Sequence, residues 1–196
     1  MRSVPTAGIV GIALSAIIAL LPLILTSDLS GGNPRTKPAT LIGGQTLSTN
    51  TGLPIFLTIP KIGVDAAITY VGLTPSGAMG VPEDPDDVVW YKFGPRPGEI
   101  GSSVIAGHSG WKDGTPAVFD KLSALKIGDK IYVANTKETM TFVVRELRMY
   151  DENADAANVF GSSDGKAHLN LVTCEGVWDT VSESYSDRFV VFTDRE

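Results

Sequence analysis

Apolar and polar positions change rhythm twice along this chain. From Ala7 to Thr26 the sequence AGIVGIALSAIIALLPLILT carries no charge over 20 residues. As a helix it would run ~30 Å, the depth of a bilayer's hydrocarbon core, and a single transmembrane helix is expected there. The stretch exceeds the ~7–15 apolar residues of a secretory signal and ends in no A-x-A site, which favours a retained anchor. Arg2 before it and Asp28 after it put residues 1–6 in the cytoplasm and everything beyond the span outside the plasma membrane. Residues 27–51 (SDLSGGNPRTKPATLIGGQTLSTNT) are Gly, Pro, Ser, Thr and Asn with few large apolar side chains. Such a composition cannot bury enough surface to fold alone, and a flexible linker is expected.

Beyond Gly52 the pattern becomes short β-branched and aromatic runs punctuated by Gly, Pro, Asn and Asp: Ile55–Ile59, Ala66–Val71, Ser103–Ala106, Lys130–Ala134, Thr139–Tyr150, His168–Thr173 and Phe189–Thr193. These predict strands at antiparallel spacing. One helix is expected at Pro116–Leu125, where Val118, Leu122 and Leu125 share a face and Gly128 follows the end. Many strands with little helix, in residues 52–196, predict a mainly β domain closed or nearly closed into a barrel.

Length and charge narrow the partners. A chain of 196 residues suits one globular domain plus an appendage, and a net charge of −6 without a Lys/Arg cluster argues against nucleic acid. Cys174 is the only cysteine, in a chain whose anchor would place it in an oxidising compartment. It has no internal disulfide partner, and an unpaired thiol there favours a chemical use over simple filling.

Period-two alternation in His168–Cys174 (HLNLVTC) sends Leu169, Leu171 and Thr173 to one face and Asn170, Val172 and Cys174 to the other. Glu175-Gly176 follows at once, leaving the thiol where a strand gives way to a loop, a position suited to exposed chemistry. Acidic neighbours Glu175, Asp179, Glu183 and Asp187 disfavour a thiolate, and a cation must offset them. Of the two histidines, His108 in the Gly-flanked turn Ala106–Gly110 is the better acid/base. His168 lies six residues from Cys174 in extended chain, ~20 Å away. Arg188 opens the final apolar run and could hold a substrate carbonyl oxygen; Arg145, Arg148 and Arg195 fit similar descriptions.

The ordered set Gly107-His108, Leu171-Val172-Thr173-Cys174 and Tyr185-Ser186-Asp187-Arg188 resembles the sortases, cell-surface cysteine transpeptidases of mainly Gram-positive bacteria. Ile59-Pro60-Lys61-Ile62 and the Phe119…Leu122…Leu125…Gly128-Asp129 stretch are also similar, so that the resemblance covers Leu53–Thr193. Asn170, where the family commonly has Thr, and Cys174-Glu175-Gly176-Val177-Trp178 depart from its best-known members. The resemblance implies an eight-stranded closed β-barrel with one or two short helices. It further implies Cys174 as nucleophile, His108 as general acid/base and Arg188 at the oxyanion, with Thr173, Val172 and Trp178 beside the substrate. The implied reaction cleaves an LPxTG-like sorting signal of a surface protein or pilin at its Thr–Gly bond. A peptidoglycan precursor or lysine amine then takes the acyl group, and no cofactor is required.

Two other classes compete. Gly107-His108-Ser109-Gly110-Trp111 is one residue short of the G-x-S-x-G elbow, which would make Ser109 a hydrolase nucleophile with His168 downstream. A non-catalytic anchored barrel would merely pack Cys174. Glu83, Asp84, Asp86 and Asp87 are candidates for calcium, although two prolines and the absence of EF-hand spacing favour a solvated loop. Trp90 and Tyr91 are left to either the core or a groove.

Overall fold

The computed structural model describes residues 52–111, 114–180 and 184–196, and the expected span 7–26 and linker 27–51 lie outside them. Among the described residues no helix is long and apolar enough to cross a membrane. Eight strands close into a barrel in the order β1-β2-β3-β4-β7-β8-β6-β5. They are β1 (Pro54–Ile59), β2 (Val64–Val71), β3 (Val88–Tyr91), β4 (Gly101–Gly107), β5 (Lys130–Asn135), β6 (Thr139–Asp151), β7 (Ala167–Asp179) and β8 (Ser184–Arg195). Inward side chains alternate with outward ones along each strand, as closure requires. Leu57 and Ile59, Ile131 and Val133, Leu169 and Leu171, and Val191 all enter one central cluster with Phe119 and Phe142.

The expected antiparallel spacing holds for all but two pairings. β2 pairs with β3 in parallel, and so does β4 with β7. A parallel pair cannot be joined by a hairpin and needs a long crossover. Residues 72–87 provide the first, and residues 152–166, which include the one-turn helix α1 (Ala157–Phe160), lead into the second. Both connections contribute residues to a cleft on the outer face of β4, β7 and β8. On that face a second apolar cluster of Val104, Val159, Val190 and Phe192 forms, with Val172, Met79 and Tyr150 against it.

The helix expected at Pro116–Leu125 does not form; only Leu122–Ala124 makes a 3-10 turn. The amide of Val118 donates to the Pro85 carbonyl (2.8 Å) and that of Phe119 to the His108 carbonyl (2.9 Å), so neither can close a helical turn. The apolar spacing read as a helix face is instead a strap whose Phe119 and Leu122 plug the barrel. Burying such a side chain contributes roughly 1.5–3 kcal/mol, enough to override local helix preference.

β3 had no alternating signature because Val88, Val89 and Trp90 are all buried. Trp90 belongs to the core and its indole N–H donates to the Pro95 carbonyl (3.1 Å). Tyr91 packs against the outer cluster, edge-on to Phe160 at 5.6 Å between ring centres. β7 and β8 run past the barrel wall as a ribbon reaching Asp179 and Ser184, longer than the apolar runs His168–Thr173 and Phe189–Thr193. The extension is exposed along Gly176–Asp179 and carries no periodic apolar signal.

Candidate active site

The three residues singled out for chemistry come to one cleft through strand register. Cys174 faces Arg188 as a direct cross-strand pair of β7 and β8. On the other side of β7, Ala106 of β4 pairs with Val172, so the end of β4 lies beside the end of β7. The Thr173 hydroxyl donates to the Gly107 carbonyl at 2.8 Å in a buried bond, tying those ends together one residue before His108 and Cys174. Alternation does the rest: Thr173 and the leucines point inward, while Val172, Cys174, Arg188 and Val190 line the outer cleft together with Ala106 and His108. The cleft encloses about 450 Å³, within the range of peptide and small-ligand sites.

Two glycines are required by this arrangement. A Cβ on Gly107 would stand 2.7 Å from both Phe119 Cδ2 and Val118 Cγ1, so only glycine lets the strap pass under the end of β4. Gly176 has φ +91°, and a Cβ there would meet Ser186 and Asp187, at the bulge where β7 bends away from β8 just after the cysteine.

Cys174 is half-buried, and burial pushes its thiol pKa up; the Arg188 guanidinium pulls it down, and the Glu152 carboxylate pushes it up again. His108 Nε2 lies 2.9 Å from the Pro82 carbonyl, and its ring meets that of Trp111 at 4.7 Å between centres. A carbonyl can only accept, so Nε2 donates in this contact and Nδ1 takes no part in it. Arg188 folds along its own strand: Nη1 donates to the carbonyls of Tyr185 (2.7 Å) and Asp187 (2.9 Å), and Nη2 to the Ser184 hydroxyl (3.0 Å). Glu152 Oε2 lies 3.7 Å from Nη2.

The other candidates separate cleanly. Arg145 pairs with Asp194 and Glu146, Arg148 with Glu146, and Arg195 with Glu138 and the Gly98 carbonyl; none of the three lines the cleft. His168 is buried at the opposite end of β7, in register with Ser102, with Nδ1 2.8 Å from Asp194 and Nε2 3.0 Å from Asp164. It cannot serve Ser109, which follows the far end of β4 and does not line the cleft. The serine-hydrolase alternative therefore lacks its base. Trp178 lies outside the cleft lining, on the exposed ribbon, edge-on to Tyr185 at 5.1 Å. Glu83, Asp84, Asp86 and Asp87 line the approach to β3, and among the described residues no group of three or more His, Cys, Asp or Glu is placed as metal ligands.

Glu152, Pro82, Met79, Tyr150 and α1 complete the cleft and were not singled out in the sequence. Their stretches, AMGVPEDP and MYDENADAANVF, carry ordinary loop signals, and only the crossover connections bring them over the outer face.

A thiol, an imidazole and a guanidinium on one outer cleft of a closed eight-stranded barrel define a cysteine acyl-transfer architecture. A Sortase domain model matches residues 57–196, and the chain belongs to the sortase family of cysteine transpeptidases. Its fold is similar to that of sortase C1 from Streptococcus agalactiae (TM-score 0.57, 23% identity, covering 72% of this chain and 66% of that one). It is also similar to sortase C-1 from Actinomyces oris (0.56, 23%, 73% and 74%) and to a sortase D5 transpeptidase from Clostridium perfringens (0.55, 20%, 74% and 79%). The chain thus spans just under two thirds of the streptococcal protein. No curated protein matches it.

Proposed function

We propose that this chain cleaves the C-terminal sorting signal of surface proteins or pilins, of LPxTG type, at the Thr–Gly bond. The acyl group passes to a peptidoglycan or lysine amine. The carrying observation is the meeting of Cys174, Arg188 and His108 in one cleft, with Cys174 and Arg188 directly opposite across a strand pair. The Cys174 sulfur attacks the threonine carbonyl carbon as its proton passes to His108, and the guanidinium of Arg188 steadies the oxyanion. As the C–N bond breaks, His108 gives a proton to the departing glycine amine, leaving a thioester. The acceptor amine then attacks that carbonyl, His108 takes its proton, and the sulfur leaves; water is a slow substitute. The apolar lining of Met79, Val172, Val190 and Phe160 suits the leucine and proline of such a signal, with Val172 and Thr173 flanking the nucleophile.

Residues 7–26 would hold the enzyme in the plasma membrane with its N-terminus in the cytoplasm, bringing donor, acceptor and catalyst to one surface. The reaction needs no cofactor, and calcium has no part in the proposed steps. Incubation of the full chain with a library of sorting-signal peptides, with mass-spectrometric mapping of the cut, tests the reading. Cleavage between Thr and Gly, lost in Cys174→Ala, is the expected result; undiminished cleavage by Cys174→Ala would overturn it.

A further inference from the structure

Two acidic residues line the cleft, Asp151 and Glu152, and of them Glu152 is the one tied to Arg188. Its position is fixed from two sides. Its backbone N–H donates to the Ser186 carbonyl of β8 (2.9 Å), continuing the β6–β8 pairing by one residue past Asp151. Its Oε2 accepts from the Ser184 hydroxyl at 2.8 Å, and that hydroxyl accepts from Arg188 Nη2 at 3.0 Å. Carboxylate, hydroxyl and guanidinium thus form a chain ending opposite Cys174. Among the described residues the guanidinium donates to Ser184, Tyr185 and Asp187.

One cation here serves two candidate anions. The charged and titratable groups around the sulfur are Arg188 of β8, His108 after β4, Tyr150, Asp151 and Glu152 at the end of β6, and Glu175 and Asp187 in the next register pair. Only Glu152 among the carboxylates is both coupled to the guanidinium and felt at the thiol, raising its pKa.

We propose that Glu152 is a positioning residue for the transfer reaction: through Ser184 it holds part of the Arg188 charge away from Cys174, keeping the resting sulfur protonated until a substrate carbonyl engages the guanidinium. This rests on the assignment of Cys174 and Arg188 above. It also offers an advantage outside the cell, where a resting thiolate would be open to oxidation.

The test is the pH profile of Cys174 alkylation by iodoacetamide in the full chain, which needs no substrate peptide. It therefore stands apart from the identity of the sorting signal. Glu152→Gln should move the inflection to lower pH and speed alkylation ~3- to 10-fold below it, because one pH unit is tenfold in thiolate. Ser184→Ala keeps both charges and cuts the bridge, so it should move the inflection in the same direction as Glu152→Gln but by less, because the carboxylate still lies 3.7 Å from Arg188 Nη2, while lowering kcat for peptide cleavage more than it raises KM. Adding Glu152→Gln to Arg188→Gln should change kcat little, since the residue acts through the guanidinium. Superimposable alkylation profiles for wild type and Glu152→Gln, with unfolding midpoints matched, overturn the proposal. An equal kcat loss from Glu152→Gln with and without Arg188 does so too. A shifted profile in a chain that cleaves no sorting signal would uphold the charge balance and sink the transpeptidase reading alone.

Discussion

Replacing Thr173 with valine deletes one hydroxyl and almost no volume. That hydroxyl makes a buried 2.8 Å bond to the Gly107 carbonyl, between the strand end that bears Cys174 and the one that bears His108. A buried hydrogen bond of this kind contributes a net ~1 kcal/mol, and valine leaves a carbonyl facing a methyl group. For a domain of this size the loss should lower Tm by about 3 °C. The effect on catalysis should be larger than the effect on stability, since a slip of ~1 Å between nucleophile and acid costs one to two orders of magnitude in rate. Urea unfolding of wild type and Thr173→Val gives the first quantity, and kcat/KM for a fluorogenic sorting-signal peptide the second. We expect a lower unfolding midpoint with unchanged m-value and a kcat/KM reduced ~10-fold or more. Coincident unfolding curves with wild-type kcat/KM would refute the view that this bond aligns the two strand ends.

Gly107→Ala places a Cβ 2.7 Å from Phe119 and Val118, and overpacking of that kind should destabilise the barrel by ~1–3 kcal/mol in urea titration. His108→Ala and Arg188→Ala should each lower kcat/KM by ~10²–10⁴ with near-native circular dichroism, and a variant of either within threefold of wild type removes that residue from the scheme. The raised pKa of the Cys174 thiol has a stability consequence. The unfolded chain loses that proton first, so the native state binds more protons above the unfolded value of ~8.5, and the stabilisation present below it is lost as pH rises through the folded value. Stability curves should therefore fall more steeply above about pH 8.5 in wild type than in Cys174→Ala.

Much of this site was legible because strand alternation is a rigid rule. Cys174, Arg188 and His108 each share the outward parity of their strands, and parity alone separates them from Leu171, Phe189 and Gly107. His168 shares it as well, and six residues of extended β7 keep it away, where Asp164 and Asp194 hold it. Alternation fails where a segment is buried on all sides or nowhere regular. Val88–Tyr91 showed no alternation, and the Pro116–Leu125 strap copied a helical period while spending its amides on Pro85 and His108. Glu152 was hidden for another reason: an acidic residue after a strand looks solvated until a long-range backbone bond to Ser186 fixes it beside Arg188. Local sequence carries no record of that partner.

The thioester is the central claim, and intact-mass spectrometry of the acid-quenched full chain after mixing with a sorting-signal peptide addresses it most directly. The expected spectrum contains an added mass equal to the peptide up to its threonine, located on Cys174 by fragmentation and removed by hydroxylamine. Peptide cleavage at full rate with no such adduct under rapid quench, or the same adduct on Cys174→Ala, would contradict the account.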